Sequence, residues 1–329
     1  MTTICVDAMG GDEGPEVVLD GIDAALSADS DLSVLVSGPE DVVTPFAASR
    51  ERVRALVAGE VIGMGEHPAD AVRAKRDSSI VRGCQAVRSG DADGFFSAGS
   101  TGAIFAAATL HVGRIRGIKR PAIASALPGL SGRDTIFCDM GANADARPEM
   151  IVQFAQMGRA FSHILLGVED ASVALLSNGS EDTKGSEAAL AAHAALAEAC
   201  GDAGWFKGNC EGGDILAGRF DVIVTDGFTG NVALKTIEGT AKFILGRVKG
   251  AVEQSTRAKL GAGLLKPSLK ALAAELSGDD YGGAMLLGVK APVLIGHGAT
   301  SREAVKNGTL ACARAVREGL VDKVAQQVS

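Results

Sequence analysis

Short apolar runs alternate with longer amphipathic segments from one end of the chain to the other. The run at residues 32–36 is almost entirely apolar, which is typical of a strand covered on both faces. The pattern predicts strands at residues 4–7, 32–36, 94–97, 123–126, 135–139, 173–176, 221–225 and 293–295, and helices at residues 101–112, 149–166, 186–199, 231–252 and 302–318. Such alternation predicts βαβ units and a mostly parallel sheet. We therefore expect a three-layer α/β/α fold in which residues 1–329 form a single domain.

A loop rich in glycine and polar residues follows six of the predicted strands. The loops read VDAMGGD (6–12), SAGSTGA (97–103), CDMGAN (138–143), SNGSEDTKG (177–185), TDGFTGN (225–231) and GHGATS (296–301). In an α/β protein, loops at the carboxyl ends of parallel strands converge on one crevice, where ligands bind. Glycine lets backbone N–H groups approach a ligand, and the start of a following helix favours negative charge. The sequence therefore predicts one anion-binding crevice.

The amino-acid composition argues against nucleic acid as the main binding partner. The net charge is −8, and aromatic residues make up only 4% of the chain, with one tryptophan and one tyrosine. Few stacking platforms and an acidic balance argue against nucleic acid as the main ligand. The six cysteines form no C-x-x-C pair, so we expect buried free thiols in a reducing cytosol, without a disulfide framework or a zinc site. We see neither a signal-peptide pattern nor an apolar run of about 18 residues, and we expect a cytoplasmic chain that does not span the membrane.

The segment 255–276 differs from the rest of the chain. Its leucines, among them Leu264 and Leu265, recur at helical spacing around Pro267, and basic residues lie between them. We interpret the segment as a protruding amphipathic helical hairpin. It packs on the core or on a second subunit, or it touches a membrane interface or an acidic partner, and these alternatives do not exclude each other.

Seven motifs in a fixed order carry a resemblance to a known family. They are VDAMGGD, GEHPADAVRAKRDSS, SAGSTGA, CDMGANADARPE, KGNCEGGDI, DGFTGNVALKTIEG and YGGAMLLG. In this combination they resemble the PlsX-type phosphate acyltransferases, and the resemblance covers nearly the whole chain. That family makes acyl phosphate from acyl-[acyl-carrier-protein] and inorganic phosphate at the entry to bacterial phospholipid synthesis.

The resemblance implies further properties. The fold should be like that of the phosphotransacetylases and, more remotely, the isocitrate/isopropylmalate dehydrogenases. The protein should be a homodimer that needs no metal, nucleotide or other cofactor. It should work in the cytoplasm, peripherally associated with the inner face of the membrane, and supply a downstream membrane glycerol-3-phosphate acyltransferase.

The implied reaction sets three demanding tasks. Phosphate must attack a thioester carbonyl, pass through a tetrahedral oxyanion and expel a thiolate. A thiol with an unperturbed pKa of about 8.5 leaves easily, so a strong general acid is optional. The enzyme must hold a dianion, aim it at the carbonyl and stabilise the oxyanion, which backbone N–H groups and one or two cations can do.

Three side chains are the candidate catalytic groups. Lys184 matches the family's Lys-Gly position and would bind phosphate or the developing oxyanion; the alternative is a solvated lysine. His297, between two glycines, would protonate the leaving sulfur or bind phosphate, and His67 is a second loop candidate. Asn231 would orient the substrate or only cap its helix. The remaining histidines, which we interpret as packing or surface residues of helices, are His111, His163 and His193.

The best phosphate cradle is SAGSTGA. Gly99 and Gly102 free the backbone, while Ser100 and Thr101 offer hydroxyls at a helix start; an ordinary N-cap is the alternative. The family usually has asparagine in place of Ser100, and Asn-Ile-Gly-Glu-Glu where this chain has SNGSE (177–181). Further residues predicted to bind phosphate or substrate are Gly10, Gly11, Asp12, Asp139, Asn143, Gly185, Asp226, Gly227 and Gly230.

Two charged clusters have open interpretations. The strand-end carboxylates of Asp7 and Asp139 hold a cation or brace loops, and we favour bracing because the family works without bound metal. Arg73, Lys75 and Arg76 form a basic cluster that contacts phosphate or the acidic carrier protein, or is a solvated face.

Three other functions stay open. A phosphate acetyl- or butyryltransferase would use the same anion loops with coenzyme A as donor. A non-catalytic scaffold at the membrane surface would recruit carrier protein through segment 255–276. A dehydrogenase is disfavoured, because VDAMGGD lacks the spacing of a dinucleotide-binding G-x-G-x-x-G loop.

Overall fold

The computed structural model describes residues 1–253, 255, 258–259, 261–263, 265 and 281–328. Most of the predicted hairpin 255–276, including Leu264, lies outside the described residues. At its start, the Ser255 hydroxyl accepts a hydrogen bond of 3.0 Å from the backbone N–H of Ala258, and the described residues between 258 and 265 are helical.

Strands and helices alternate along the described chain, as predicted. The strands are β1 (Thr2–Asp7), β2 (Leu32–Gly38), β3 (Val53–Val57), β4 (Gly94–Ser97), β5 (Ala122–Leu127), β6 (Thr135–Cys138), β7 (Val173–Leu176), β8 (Phe206–Cys210), β9 (Val222–Val224), β10 (Ala284–Leu287) and β11 (Val293–Ile295). The helices are α1 (Pro15–Ala28), α2 (Glu40–Ala48), α3 (Pro68–Ala74), α4 (Ser79–Ser89), α5 (Thr101–Ala107, continued by a π-helical turn at Ala108–Val112), α6 (Pro148–Leu166), α7 (Glu187–Cys200), α8 (Gly227–Glu253), α9 (Arg302–Arg317) and α10 (Leu320–Val328).

The described strands form one sheet in the order β3-β2-β1-β4-β11-β10-β5-β6-β9-β7-β8. Seven neighbouring pairs are parallel. The three antiparallel pairs, β11–β10, β10–β5 and β5–β6, lie together in the middle of the sheet. The predicted mostly parallel sheet is therefore confirmed.

The antiparallel strands divide the sheet into two oppositely directed halves. Strands β1 to β4 and β11 run one way, and β6 to β9 run the other. The sequence pattern predicts that all six glycine-rich loops follow strands that run in the same direction. The reversal in the middle of the sheet shows that they do not. They leave the sheet in two groups, one after β1, β4 and β11 and one after β6, β7 and β9.

Helices cover both faces of the sheet, which gives the three predicted layers. In β1, Ile4 and Val6 belong to the core shared with α1 and α9, whereas Cys5 belongs to the core shared with α4 and α5. This alternation follows from the strand geometry, because successive side chains point to opposite faces. Helix α1 packs so closely on α9 that a Cβ atom at Gly21 would overlap Val305. All six cysteines are buried free thiols, as predicted.

The pattern did not predict β3, β8 and β10. Strands β3 and β8 form the two edges of the sheet, where burial on one side leaves a weak apolar signal. Strand β8 also contains Gly208 at a φ of +87° and the polar Asn209. Helix α8 begins at Gly227, four residues before the predicted start.

Candidate functional site

The loops after β1, β4 and β11 form a first group held together by backbone contacts. A Cβ atom at Gly10 would lie 2.7 Å from the backbone nitrogen of Ala98 and 2.8 Å from that of Gly99. The N–H of Asp12 donates to the carbonyl of Gly298 at 2.8 Å. Only glycine at position 10 permits this approach, so the three loops form one surface.

A buried carboxylate lies beneath the first group. Asp7 accepts hydrogen bonds from the Ser97 hydroxyl (2.7 Å) and from the N–H of Met9 (3.0 Å). Burial raises the pKa of Asp7 above its ordinary value, and these hydrogen bonds act in the opposite direction. The Ser97 hydroxyl also accepts the N–H of Gly99 at 3.1 Å. The N–H of Gly99 is thus directed at Ser97 rather than at a ligand.

The other two hydroxyl groups of SAGSTGA, on Ser100 and Thr101, lie at the start of α5. Ser100 occupies the N-cap position, but its side chain makes no capping hydrogen bond. Ser100 is buried and Thr101 is exposed. Gly102 permits close packing of α5 on α3, because a Cβ atom there would lie 2.5 Å from Cγ of Pro68.

The loop after β11 carries His297 and a buried hydroxyl that the sequence reasoning missed. The exposed His297 accepts the N–H of Ala299 at Nδ1 (3.2 Å), which leaves the proton of the neutral ring on Nε2. Thr300 is 3% exposed, and its Oγ1 has no hydrogen-bond partner in the described part of the chain. Its γ-methyl group would lie 3.0 Å from a Cβ atom at Gly11, whose φ is +100°. Nothing in the sequence distinguishes this threonine from a helix-start residue, since its burial results from packing.

The basic cluster at α3 is only partly available to a ligand. The Lys75 ammonium donates to the Glu66 carboxylate (2.7 Å) and to the carbonyl of Val61 (2.8 Å). The Lys75 ammonium therefore fixes the preceding loop, and these two bonds engage it before any phosphate or carrier protein binds. Arg73 and Arg76 are exposed.

The second group is built around Asp139, at the end of β6. Its fully buried carboxylate accepts five hydrogen bonds of 2.9–3.2 Å, from the backbone N–H groups of Ile123, Gly141, Ala142 and Asn143 and from the Asn143 side chain. Burial raises the pKa of Asp139, and these hydrogen bonds oppose the shift. Asp139 braces the loop 139–143. Within the described residues, no group of three or more His, Cys, Asp and Glu side chains is arranged to hold a metal.

The first turn of α8 is pressed against this braced loop. A Cβ atom at Gly230 would overlap the carbonyl oxygen of Asp139, and one at Gly227 would lie 2.7 Å from the backbone of Asn143. The Asp226 carboxylate caps α8, since it accepts the N–H and the hydroxyl of Thr229, both at 2.8 Å. Asn231 is therefore in the second turn rather than at the cap, which removes capping as its role. It is exposed and lies beside Gly141.

Lys184 lies at the entrance to α7, in the loop after β7. Its N–H donates to the carbonyl of Glu181 at 3.0 Å, which closes a turn. Its aliphatic stem crosses Gly179, where a Cβ atom would lie 2.7 Å from Cγ of Lys184. Gly185 follows at a φ of +117°, and the Ser186 hydroxyl then caps α7 by accepting the N–H of Ala189 at 3.2 Å. The lysine is exposed next to the positive end of a helix dipole.

A cavity of about 350 Å³ opens at the start of α7 and is lined in part by Gly185. Its lining combines apolar side chains, among them Ile151 and Leu175, with polar side chains, among them Thr225 and Asp226. A ligand with an apolar part and a polar or charged end suits such a cavity.

The structure thus distributes the predicted site residues between two groups. The first contains Gly10, Gly11, Asp12, Gly99, Ser100, Thr101, Gly102 and His297, and the second contains Asp139, Asn143, Lys184, Gly185, Asp226, Gly227, Gly230 and Asn231. Leu265 is 59% exposed and lies in neither group.

Comparison with known proteins gives matches over almost the whole chain. A family model described as "Fatty acid synthesis protein" matches residues 2–323. The chain is 42% identical over 328 residues to a phosphate acyltransferase of Limosilactobacillus reuteri, covering 98% of this chain and 95% of that protein. It is 46% identical over 296 residues to a phosphate acyltransferase of Limosilactobacillus fermentum, covering 88% of this chain and 85% of that protein.

A solved structure confirms the predicted relation in fold. A phosphotransacetylase from Streptococcus pyogenes matches with a TM-score of 0.63 and 16% identity, covering 96% of this chain and 94% of that chain. At this identity the likeness concerns the fold alone.

We expect Asp139→Asn to lower the free energy of unfolding by about 3 kcal/mol, because the amide NH₂ would face N–H donors in a buried site. The unfolding midpoint in urea measures the change. Asp145→Asn, at an exposed position just beyond the same loop, is the matched control and should leave the midpoint unchanged. A bracing role also requires that EDTA and Mg²⁺ leave the wild-type midpoint unchanged; a shift with Mg²⁺ would indicate a cation at Asp139 instead.

Proposed function

Because the chain belongs to the fatty acid synthesis protein family, whose model matches residues 2–323, we propose that it transfers a fatty acyl group from acyl-[acyl-carrier-protein] to inorganic phosphate. The identity of 42–46% to phosphate acyltransferases, over 88–98% of the chain, is the observation that carries this proposal. The product, acyl phosphate, would supply phosphatidic acid synthesis.

The two loop groups can serve one reaction if they face each other. Adjacent strands of a sheet are rotated by roughly 20–25°, so the six steps from β1 to β9 accumulate about 120–150°. Without twist, β1 and β9 would point in opposite directions, about 180° apart. The accumulated twist reduces this angle to about 30–60°. We infer that both groups open toward the same side of the molecule and form the two walls of a cleft.

The chemistry needs no covalent enzyme intermediate. An oxygen of phosphate attacks the thioester carbonyl carbon, the carbonyl oxygen takes up negative charge, and the carbon–sulfur bond then breaks to release the carrier thiolate. Lys184, at the positive end of α7, would neutralise phosphate or the developing oxyanion. Asn231 would orient the substrate, and the Nε2–H of His297 would donate a hydrogen bond to phosphate or to the departing sulfur.

The cavity at the start of α7 supports an acyl thioester as donor. Its apolar side chains suit the first carbons of an acyl chain, and its hydroxyl groups suit the thioester and phosphate. In the first group, the Ser100 hydroxyl, which makes no capping hydrogen bond, supports an anion on the opposite wall. Arg73 and Arg76 would contact the acidic carrier protein.

The proposed reaction predicts that purified protein, given palmitoyl-[acyl-carrier-protein] and phosphate, releases free carrier thiol and forms acyl phosphate in equal amounts. Lys184→Ala should lower kcat/KM by about 100- to 1,000-fold, as loss of a group that stabilises developing charge does. Lys290→Ala, at another exposed lysine, is the matched control and should keep full activity.

The same assay separates the alternatives. Turnover with acetyl-CoA but not with the acyl carrier protein would indicate a coenzyme A-dependent acyltransferase. Carrier binding without turnover of either donor would indicate a scaffold, and either result would contradict the proposal.

We also propose a homodimer in which a second copy covers α8. This helix has 27 residues, yet only Gly227 and Gly230 are buried, while Phe243 and Ile244 are 67% and 53% exposed. Large apolar side chains exposed along one helix mark an interaction surface. A two-fold interface would let α8 cover the same helix of the partner.

The homodimer predicts that Phe243→Glu combined with Ile244→Glu shifts the protein from dimer to monomer, because two charges would be buried at the interface. Sedimentation velocity measures the mass. Lys249→Glu, at an exposed polar position of the same helix, should remain dimeric. A monomeric wild-type protein at micromolar concentration would exclude this interface.

We further propose peripheral contact with the inner face of the cell membrane through segment 255–276. No described helix is both long enough and apolar enough to cross a bilayer. Leu265 and Lys259 are exposed, a combination of apolar and basic side chains that suits an anionic lipid surface. Such contact would bring acyl phosphate close to a membrane glycerol-3-phosphate acyltransferase.

Membrane contact predicts that the protein floats with vesicles containing phosphatidylglycerol and that Leu265→Glu reduces the floating fraction, because a charge cannot enter the lipid interface readily. Leu130→Glu, at an exposed leucine of the β5–β6 loop, is the control and should float like the wild type. Equal flotation of the Leu265 variant would remove this residue from the contact.

A further inference from the structure

His193, which the sequence pattern placed among the packing or surface residues of helices, makes a specific polar contact next to the loop that carries Lys184. His193 lies on α7, and its Nδ1 is 2.9 Å from Oδ1 of Asn209 on β8. The Asn209 side-chain NH₂ donates to the carbonyl of Glu181 at 2.9 Å. This second bond fixes the orientation of the amide, so Oδ1 faces the histidine. An amide oxygen only accepts, and Nδ1 of His193 therefore carries a proton.

The carbonyl of Glu181 is the point at which this contact reaches the lysine. The same oxygen accepts the N–H of Lys184 at 3.0 Å, which closes the turn that carries the lysine. Hydrogen bonds thus run from His193 through Asn209 and Glu181 to Lys184. Because Asn209 is buried, a lost partner there could not be replaced readily by water.

The imidazole ring is held on two further sides. Phe206 packs edge-on against it, with ring centroids 5.1 Å apart. The Nε2 atom lies 3.7 Å from the carboxylate of Asp182, in the same loop as Glu181 and Lys184. The ring therefore contacts the loop at two places, directly at Asp182 and through Asn209.

We propose that His193 and Asn209 are positioning residues that hold the Glu181–Lys184 turn so that the Lys184 ammonium is directed at the reacting phosphate or carbonyl oxygen. This proposal rests on the proposed function, in which Lys184 is the cation of the acyl transfer. Neither side chain touches substrate in it. A lysine has a long flexible stem, so the direction of its backbone and its packing on Gly179 decide where the charge lies.

The test compares His193→Ala, Asn209→Ala, Lys184→Ala and the double variant His193→Ala/Lys184→Ala in the acyl-carrier-protein assay. We expect His193→Ala and Asn209→Ala each to lower kcat/KM by about 10- to 100-fold, the range expected when a reacting group is displaced by about 1 Å. The loss should fall in the same parameter, kcat or KM for phosphate, that Lys184→Ala changes. In the Lys184→Ala background, His193→Ala should cause no further loss, because coupled residues are not additive.

A conservative variant and a control separate positioning from folding. The side-chain NH₂ of His193→Asn can occupy the place of Nδ1–H, and this variant should recover most of the activity lost in His193→Ala. Glu198→Ala, at an exposed position of the same helix, should behave like the wild type. The urea midpoint of each variant shows whether it is folded under assay conditions.

The outcomes distinguish this inference from the proposed function. Unchanged activity of Lys184→Ala would overturn both. A large loss in Lys184→Ala with full activity in folded His193→Ala and Asn209→Ala would overturn the positioning role alone. Equal losses from His193→Ala with and without Lys184, or no recovery in His193→Asn, would also overturn it.

Discussion

A carboxylate buried at the end of a strand organises each of the two loop groups. A buried charge is costly unless hydrogen bonds satisfy it, so the surrounding chain must turn its N–H and O–H groups inward. Asp139 draws five N–H groups onto itself, which shapes the loop 139–143 and the surface on which α8 begins. Asp7 has the corresponding place under the first group, where Ser97 links it to Gly99. Both carboxylates are engaged by hydrogen bonds from their own loops, so the proposed reaction depends on other side chains, such as Lys184.

Glycine residues let the braced loops pack directly against each other and against the start of a helix. At Gly10, Gly227 and Gly230 the missing side chain lets one backbone lie directly on another, so each loop is supported by its neighbour. The positive ends of α7 and α8 are consequently fixed near the cavity and the braced loop. A dianionic substrate benefits from such fixed dipoles, because they need not reorganise when charge moves during the reaction.

Lys184 has an exposed side chain on a backbone that is fixed by hydrogen bonds. Its ammonium is at the surface, yet its backbone is tied to Glu181 and its stem crosses Gly179. The same loop is held to β8 through Asn209 and faces His193 on α7. The sequence predicted that Lys184 is a catalytic group, from its motif and from the helix that follows it. It did not predict the hydrogen bonds that hold this loop, because His193 and Asn209 belong to two other elements, α7 and β8, and only packing brings them together.

The sequence by itself determined the alternation of strands and helices, the glycine-rich strand ends and the family, because these depend on local periodicity and on motifs. It failed for edge strands such as β3 and β8, whose burial on one side weakens the apolar signal. Only the tertiary structure decided that the loops form two groups, since strand direction depends on which strands pair in the middle of the sheet. It also decided that Lys75 is paired and that the hydroxyl of Thr300 is buried without a partner among the described residues. Both outcomes depend on how loops and helices pack against each other, which the local periodicity of the sequence does not encode.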